Sequence, residues 1–244
     1  YRFVQFKKGI FDLTAGNFYE QFGNGLILRS YEEWNLGYDN SIDGFRIKIE
    51  PVQGILLKGV IGKQRFFWDW GPAIVRGVDG EINFNDVVKK WAGSRTRVIL
   101  GGSFVSKYQG DEQIMVDESH MLNLPLNVGA WAGRLNLIRG GFTLAGEYAM
   151  KVNDPSAINN YIYKDGQALW LSASYSVKGL GVTLSSKYID NMSFKSKRTE
   201  TSNALDINFL PPLTDQYTYS LAAIYPYATQ PNGELGFLGQ VVYT

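Results

Sequence analysis

The 244-residue chain lacks cysteine and contains a single histidine, His120. Without cysteine, disulfides, thiolate zinc sites and a cysteine nucleophile are excluded, and one histidine excludes a metal site made of several imidazoles. The chain also lacks an excess of charge of either sign, since 24 Lys and Arg residues against 23 Asp and Glu residues give a formal net charge of +1. A nucleic-acid binder is expected to carry a marked basic excess, so we expect no nucleic-acid partner.

Long apolar runs are absent as well. The most apolar stretch, 54–62, is interrupted by Lys58 and is shorter than the run of about 18 residues that a membrane-spanning helix requires. Barrel spans are not excluded, because each needs only about ten residues of alternating character. The chain begins at Tyr1 without a basic and apolar leader, so we expect any targeting peptide to have been removed or to lie outside it.

Glycine and aromatic residues are abundant, at 27 residues and 14% of the chain, and they lie in segments where apolar and polar residues alternate. In 142–152, the apolar set Phe, Leu, Gly, Tyr, Met and Val alternates with Thr, Ala, Glu, Ala and Lys. Successive side chains of a strand point to opposite faces, so this alternation predicts a β-strand with one apolar and one polar face. Further segments of this kind lie at 45–50, 131–137, 169–177, 182–188 and 205–209.

The predicted strands are joined alternately by short and long connectors. The short ones contain Gly or Pro, as in 51–54 and 178–181, which favours tight turns. One connector on the short side, 85–94, is expanded and predicts a helical turn capped by Asn85 or Asp86. The long connectors are polar or aromatic and lie at 17–43, 65–72, 109–120, 153–166, 191–203 and 227–234.

This alternation of connectors between about thirteen strands is typical of a bacterial outer-membrane barrel. We predict an all-β fold, namely an up-and-down antiparallel transmembrane β-barrel with about 12–14 strands in this chain. Antiparallel neighbours close only with an even number of strands, so we expect a single domain, 1–244, that is part of a larger barrel. This parity also requires Asp79-Gly80 to be a bulge within one strand of 73–84, not a hairpin.

Charged residues in the middle of the polar faces predict a wet lumen, and aromatic residues near strand ends on the apolar faces suit the two membrane interfaces. Arg76 is an exception, because it shares a face with Ile74 and Val78; either the bulge reverses the register or that strand assignment is wrong. A mixed-sign lumen predicts a modest anion preference for an open pore. The predicted lumen-facing residues are Arg46, Lys48, Lys58, Arg97, Arg134, Glu147, Lys151 and Asp206.

The segment 16–34 is too long for a tight turn and too apolar for an ordinary solvated loop. In one interpretation it folds into the lumen as a plug or constriction, with its charges paired to wall charges such as Arg46 and Arg134. In the other, which we favour, it continues the adjoining strands above the membrane through aromatic packing. The plug candidates are Glu20, Arg29, Glu32 and Glu33.

Alternation does not by itself identify lipid, since a soluble sandwich has the same period with its apolar face turned inward. The alternative interpretation is therefore a soluble secreted β-sandwich or lectin-like module. Such a module would bind glycans through Trp34, Trp68 and Trp70. Fractionation separates the two interpretations, because only the barrel requires detergent.

Catalysis is not predicted. His120 follows two carboxylates and a serine at 117–119, but neighbours in one loop rarely converge on a substrate, so we interpret this stretch as a solvated polar loop. The carboxylates at 111–112 and 117–118 are oxygen ligands of the type that Ca²⁺ prefers, although their spacing is not specific. We expect a non-enzymatic protein with no catalytic residue, no cofactor and no metal site.

Three runs carry a resemblance to a known family. GNFYEQFGNGLILRSYEEWNLGYDNSIDG (16–44), VRGVDGEINFND (75–86) and YSLAAIYPYATQPNGELGF (219–237) resemble an uncharacterised, domain-of-unknown-function family of Bacteroidota outer-membrane β-barrel proteins. The resemblance implies the outer membrane of a Gram-negative bacterium, with outer-membrane lipid and other envelope proteins as partners. It supplies no active-site residues. Members of that family are longer than this chain, which agrees with the odd number of predicted strands.

Overall fold

The computed structural model describes residues 1–115, 118–214 and 228–243. Within them, one antiparallel sheet of eleven strands dominates an all-β molecule. The strands are β1 (Phe3–Lys8), β2 (Phe11–Phe18), β3 (Glu32–Glu33), β4 (Tyr38–Asp39), β5 (Ile42–Ile49), β6 (Ile55–Phe66), β7 (Asp69–Asn83), β8 (Thr96–Tyr108), β9 (Asn127–Arg139), β10 (Phe142–Lys151), β11 (Gly166–Val177), β12 (Leu180–Asp190) and β13 (Gly233–Tyr243).

The large sheet has the order β1-β2-β5-β6-β7-β8-β9-β10-β11-β12-β13, and β3 and β4 form a separate two-stranded hairpin. Each strand of the large sheet is thus hydrogen-bonded to the next one along the chain. Glycine makes two of the tight turns possible: Gly9 between β1 and β2 and Gly140 between β9 and β10 have φ angles of 57° and 58°, a left-handed conformation that side chains other than glycine rarely adopt. The predicted up-and-down order of neighbouring strands is confirmed.

The two ends of the sheet differ. The connections β2–β5, β8–β9, β10–β11 and β12–β13 are long and meet at one end, called here the loop end, whereas the opposite end carries the short turns. The expanded connector at the turn end contains α1 (Phe84–Val87) and a 3-10 turn at Lys89–Trp91, which confirms the predicted helical turn. Its N-cap is Asn83, not Asn85 or Asp86. The Asn85 side chain instead bridges backbone groups across the connector, including Val98 N at 3.0 Å.

Other short helical segments lie at the loop end, as 3-10 turns at Trp34–Leu36 and Ala157–Asn159. Among the described residues, no helix has the length and apolar character to cross a membrane.

The strand register separates two faces. On the outer face, large apolar side chains are exposed on strand after strand: Phe45 (67%), Val78 (59%), Trp131 (49%), Leu184 (61%) and Phe237 (77%). No second sheet or helix of the described residues covers them. Their alternate neighbours form the inner face, which is polar and charged but largely buried.

The inner face is covered by two irregular segments that lie against it. The first inner segment, 19–31, contributes Phe22, Leu26, Ile27 and Leu28, and the second inner segment, 192–210, contributes Met192, Phe194 and Ile207. These side chains meet small apolar residues of the strands. The hydrophobic core therefore lies on the inner side of the sheet and not between two sheets. The strand residues of this core are Phe18, Ile42, Val60, Val75, Val105, Val128, Ala130, Ala132, Ala149, Ala168 and Ile189.

The sheet is open in the described residues. Strands β1 and β13 are its edges, and neither pairs with the other. All six residues of β1 are exposed, and most of β13 is exposed as well. The established architecture is therefore one large antiparallel sheet, and its closure into a barrel is not part of it.

One of the predicted strands, 205–209, is wrong. Its apolar residues were expected on the apolar face of the sheet, but Leu205 and Ile207 are 1% and 0% exposed within the second inner segment. Among the described residues, the only β-pairing of this segment is an isolated bridge between Lys195 and Asp206. The reason is physical: an alternating segment can bury its apolar side against an interior core as well as against a membrane. Most of the stretch between this segment and the predicted connector 227–234 lies outside the described residues.

Two local expectations in β6 and β7 are also corrected. The connector 65–72 is not long, because β6 and β7 extend to a tight turn at 67–68. No bulge occurs at Asp79-Gly80, where the pairing with β6 is regular; the register shift lies on β6 between Lys63 and Arg65. The strand itself, 69–83, confirms that Asp79-Gly80 is not a hairpin.

Arg76 consequently stays on the outer face beside Ile74 and Val78, and neither alternative offered for it is correct. Its Nη2 donates a hydrogen bond to Asn127 Oδ1 at 2.7 Å. Asn127 is the first residue of β9 and lies at the loop end. The charge is thus directed along the sheet toward its loop end.

Candidate functional site

A belt of paired charges crosses the inner face, and Glu20 of the first inner segment is at its centre. Glu20 is 6% exposed, and its carboxylate lies 2.8 Å from Lys48 Nζ, 3.1 Å from Lys58 Nζ and 3.9 Å from Arg46 Nη1. A buried charge is tolerated only when it is paired. Three cations from β5 and β6 therefore hold this one carboxylate against the sheet.

The belt continues across β7 to β9. Arg134 of β9 places Nη1 2.7 Å from Asp79 Oδ1 and Nη2 3.3 Å from Glu81 Oε2. It also donates to Ser103 Oγ at 2.9 Å. Lys58 Nζ lies 4.0 Å from the second oxygen of Asp79, so the two parts of the belt are joined.

Glycine in β8 allows Arg134 to reach β7. Arg134 pairs with Gly101 in the strand register, and its side chain crosses β8 to reach Asp79. A Cβ at Gly101 would lie 2.3 Å from Arg134 Nε, too close for both to be accommodated. The next glycine, Gly102, has only Ala132 O at 4.0 Å from such a Cβ. Gly101 is thus required by a close approach, and Gly102 is not.

The first inner segment is fastened at a second place, on β10. The backbone N–H of Asn24 donates to Glu147 Oε2 at 2.6 Å. Gly23, at φ 53°, brings the chain so close that a Cβ there would lie 2.4 Å from the same oxygen. Between the two attachments, Phe22 packs on Gly77, where a Cβ would lie 2.8 Å from the ring. The segment therefore spans the inner face from β5 to β10.

The second inner segment is bound to the first. Asn208 Nδ2 donates to Leu26 O at 3.1 Å and to Met192 O at 2.8 Å. Farther along, Gln64 Nε2 of β6 donates to Asp206 O at 2.7 Å. Hydrogen bonds thus join the two inner segments to each other and the second inner segment to β6.

A second group of buried charges lies nearer the loop end. Lys107 of β8 contacts Asp154 at 2.5 Å and donates to Lys195 O at 2.8 Å, and Arg198 Nε lies 3.1 Å from Asp154 Oδ1. Lys151, 1% exposed, is buried on the neighbouring β10. Sequence reasoning missed Lys107, Asp154 and Arg198. The available signal was the position of Lys107 in β8, two residues from Val105 and therefore on the same face of the strand; the connector that contains Arg198 reads as solvated.

The predicted lumen-facing residues lie in three different settings. Most are on the inner face of the sheet, and they are Arg46, Lys48, Lys58, Arg134, Glu147 and Lys151. Arg97 lies at the turn end with a 54% exposed side chain, 3.8 Å from Asp86. Asp206 lies in the second inner segment, where it pairs with Lys195, and not on a strand of the sheet.

The segment 16–34 does not continue the adjoining strands, which corrects the interpretation favoured from sequence. β2 ends at Phe18, and the chain then turns onto the inner face because its apolar residues are buried there. Of the four plug candidates, only Glu20 reaches wall charges. Arg29 stacks on the rings of Tyr31 and Phe209, at 4.7 and 4.0 Å.

The other two plug candidates, Glu32 and Glu33, form the hairpin strand β3. Neither makes an ion pair within the described residues. Glu33 Oε1 accepts from Asn35 N at 3.3 Å. Arg134 is paired with Asp79 and Glu81 of the sheet, not with any residue of the first inner segment.

The remaining residues singled out from sequence lie near the loop end. Trp34 and Trp68 are 82% and 97% exposed, and Trp70 Nε1 donates to Asp43 Oδ2 at 3.0 Å. Ser119 Oγ lies 3.1 Å from His120 Nδ1, and part of the acidic loop, 116–117, lies outside the described residues. The described ranges contain no group of three His, Cys, Asp or Glu residues arranged to hold a metal ion.

Comparison with known proteins identifies the family of this chain. A model of a family of unknown function, DUF6029, matches residues 1–244. The chain belongs to this family. No curated protein matches it. Among solved structures, the DUF6029 chain is similar to one titled "NanC porin structure in rhombohedral crystal form", with 12% sequence identity and a TM-score of 0.41 over 96% of this chain and 93% of that chain. A likeness at this level supports no conclusion about function.

Proposed function

We propose that this chain forms part of the wall of an outer-membrane β-barrel in a Gram-negative bacterium of the Bacteroidota type, with a structural, channel or envelope-assembly role and no catalytic step. One observation carries the proposal: the outer face is apolar, exposed and uncovered over the whole width of the described sheet. Its partners would be membrane lipid and other envelope proteins.

The outer face suits lipid better than water. Soluble monomers rarely expose a continuous apolar patch of more than a few hundred Å², and larger patches mark partner or membrane surfaces. Each pair of neighbouring strands from β1 to β13 has its backbone groups paired across an antiparallel ladder. Hydrocarbon requires this, because it offers no hydrogen-bond partner of its own.

The distribution of rings on this face supports the same medium. On β10, Phe142 lies near the turn end and Tyr148 near the loop end, about 20 Å apart along the strand. Tyr175 of β11 is directly opposite Phe142, and Tyr188 of β12 is in register with Tyr148 two strands away, with Leu169 of β11 between them. Two aromatic rows separated by an apolar band roughly 25 Å tall are characteristic of outer-membrane barrels.

The inner face favours a closed state over an open pore. Four cations of the inner face are matched by four carboxylates within 4.0 Å: the cations are Arg46, Lys48, Lys58 and Arg134, and the carboxylates are Asp12, Glu20, Asp79 and Glu81. We therefore expect the anion preference inferred from the lumen charges to be absent while the first inner segment stays in place. In planar bilayers the protein should conduct poorly.

A soluble sandwich would need a second layer over the outer face, and the described residues supply none. The tryptophans assigned to glycan binding in that alternative project from the loop end and do not cover the face. We therefore do not advance it as a second candidate.

Membrane fractionation of a matched pair of variants tests the proposal. Leu171, on the outer face of β11, is 39% exposed, and Ser172 beside it faces inward and lies near Ser185. Wild-type protein should stay in the carbonate-washed membrane pellet and need detergent for extraction. Leu171→Lys should greatly reduce assembled protein, since a lysine at mid-depth on the lipid face costs roughly 2–4 kcal/mol, whereas Ser172→Lys should assemble normally. Soluble wild-type protein, or equal assembly of both variants, would refute the membrane placement.

A further inference from the structure

A cavity of about 320 Å³ opens at the loop end, between the second inner segment and the β3–β4 hairpin. This volume lies at the lower end of the range of small-molecule sites. Its wall combines three aromatic rings with a few polar side chains, which is the usual composition of such sites. The residues that matter to the argument are Tyr31, Tyr38, Ser193, Lys195, Asp206 and Asn208.

The polar floor of the cavity is held in place from behind. The carbonyl of Asp206 accepts hydrogen bonds from Asn40 Nδ2 at 2.8 Å and Gln64 Nε2 at 2.7 Å. Asn208 uses both protons of its amide nitrogen on backbone carbonyls of the two inner segments. The backbone of Asp206 and the side chain of Asn208 are therefore fixed, and the Oδ1 of Asn208 is left as an acceptor.

Among the charged groups of the cavity, one carboxylate oxygen is available to accept a hydrogen bond, but no cation is available to bind an anion. Lys195 Nζ spends its donors on Ser202 O, Ala204 O and Asp206 Oδ1. The second oxygen of Asp206 makes no hydrogen bond within the described residues. Burial raises the pKa of Asp206 to about 6, so this oxygen belongs to a carboxylate at neutral pH. A ligand carboxylate or phosphate would find no free positive group here.

The aromatic wall disfavours a cationic ligand as well. The Tyr31 and Tyr38 rings lie 4.7 Å apart, and the Arg29 guanidinium already lies over Tyr31 and Phe209. A second cation would therefore meet Arg29 and Lys195 against the single carboxylate of Asp206. What remains is an uncharged ligand that donates several hydrogen bonds.

We propose that this cavity binds an uncharged sugar unit. Sugar hydroxyls would donate to Asp206 Oδ2 and Asn208 Oδ1 and accept from the hydroxyls of Tyr31, Tyr38 and Ser193. None of those three hydroxyls makes a hydrogen bond in the part of the chain that the structure describes. A sugar ring also presents a face of C–H groups, which packs on the electron-rich face of an aromatic ring. The proposal concerns the cavity alone and holds whichever medium contacts the outer face.

Saturation-transfer NMR tests this with glucose, galactose, mannose and N-acetylglucosamine as separate probes. The protein is held in lauryldimethylamine oxide, whose headgroup carries no sugar. At least one probe should give transfer signals from its ring protons. Tyr38→Phe keeps the ring and removes the hydroxyl, so it should weaken that binding about 3- to 10-fold, as expected for one lost hydrogen bond.

Tyr163→Phe is the matched control, because Tyr163 also lies at the loop end but outside the cavity, where its hydroxyl donates to Asn123 O. It should bind the sugar as the wild type does. Failure of all four sugars to bind, or equal binding by the two variants, would overturn the proposal. Binding of choline in place of the sugars would overturn it too, since it would identify a cation site. None of these results bears on the membrane placement.

Discussion

The two faces of the same strands follow opposite rules. On the outer face, Leu184 and Phe237 are 61% and 77% exposed and have no covering layer, whereas on the inner face Asp79 and Glu147 are 4% and 2% exposed. A water-soluble protein buries its apolar groups and leaves its charges in solvent. Here the apolar groups are outside and the charges are buried and paired. The polarity of the two faces is therefore inverted relative to a water-soluble protein, and ion pairs organise the inner face of the sheet.

The largest effect on the inner face is expected from Glu20→Gln. The change leaves the cations of β5 and β6 close together without their carboxylate, and removing one partner of a buried ionic group costs about 3–5 kcal/mol. We expect a loss of about 3 kcal/mol in the free energy of unfolding, because Lys48 retains a 31% exposed side chain. Denaturant unfolding followed by tryptophan fluorescence measures it.

The control for this change is Glu32→Gln. Glu32 belongs to the same connection between β2 and β5 but lies in the exposed hairpin strand, so its loss should alter stability by less than about 0.5 kcal/mol. Equal effects of the two variants would mean that the belt does not hold the first inner segment.

A smaller effect is expected from Gly101→Ala. The new methyl group collides with the Arg134 side chain and displaces it from Asp79, and overpacking of this kind costs about 1–3 kcal/mol. Gly102→Ala adds the same methyl group on the opposite face, where nothing lies closer than 4.0 Å, and should be nearly neutral. The same unfolding measurement compares the two. A neutral Gly101→Ala variant would show that Arg134 does not need its path across β8.

The strands were predictable from sequence because their signal is local. Alternation in 142–152 and 169–177 depends only on the side chains themselves, and turn glycines such as Gly140 mark where each strand stops. The helical turn at 85–94 was predictable for the same reason, although its cap was not. Asn85 has the chemistry of a cap, but its side chain is engaged by distant backbone groups of the same connector.

The covering of the inner face by 16–34 was one of two interpretations that the sequence left open, because the choice depends on contacts between residues far apart in the chain. The buried bonds between Asn208 and Leu26 and between Asn24 and Glu147 join residues more than a hundred positions apart. No local pattern distinguishes an apolar run that folds inward, such as 26–28, from one that continues a strand. The alternation around Ile207 was misassigned for this reason.

The charged site was predictable only in its half that lies on strands. Arg46, Lys58 and Arg134 followed from the face to which alternation assigned them. Their counter-ions followed only in part: Glu20 was a candidate in the interpretation that was not favoured, and Asp79 was interpreted as part of a bulge. Pairing is a property of the folded sheet, and the sequence of one strand does not contain it.

The membrane placement requires acyl chains to contact the outer face. The absence of cysteine from the chain allows this contact to be measured directly. Leu184→Cys and Ser185→Cys introduce single labelling sites on the outer and inner faces of β12, one residue apart. A fluorophore attached at 184 in reconstituted vesicles should be quenched by doxyl-labelled lipid and shielded from aqueous iodide, and a fluorophore at 185 should escape the lipid quencher. Iodide quenching at 184 without lipid quenching would contradict the membrane placement of the outer face.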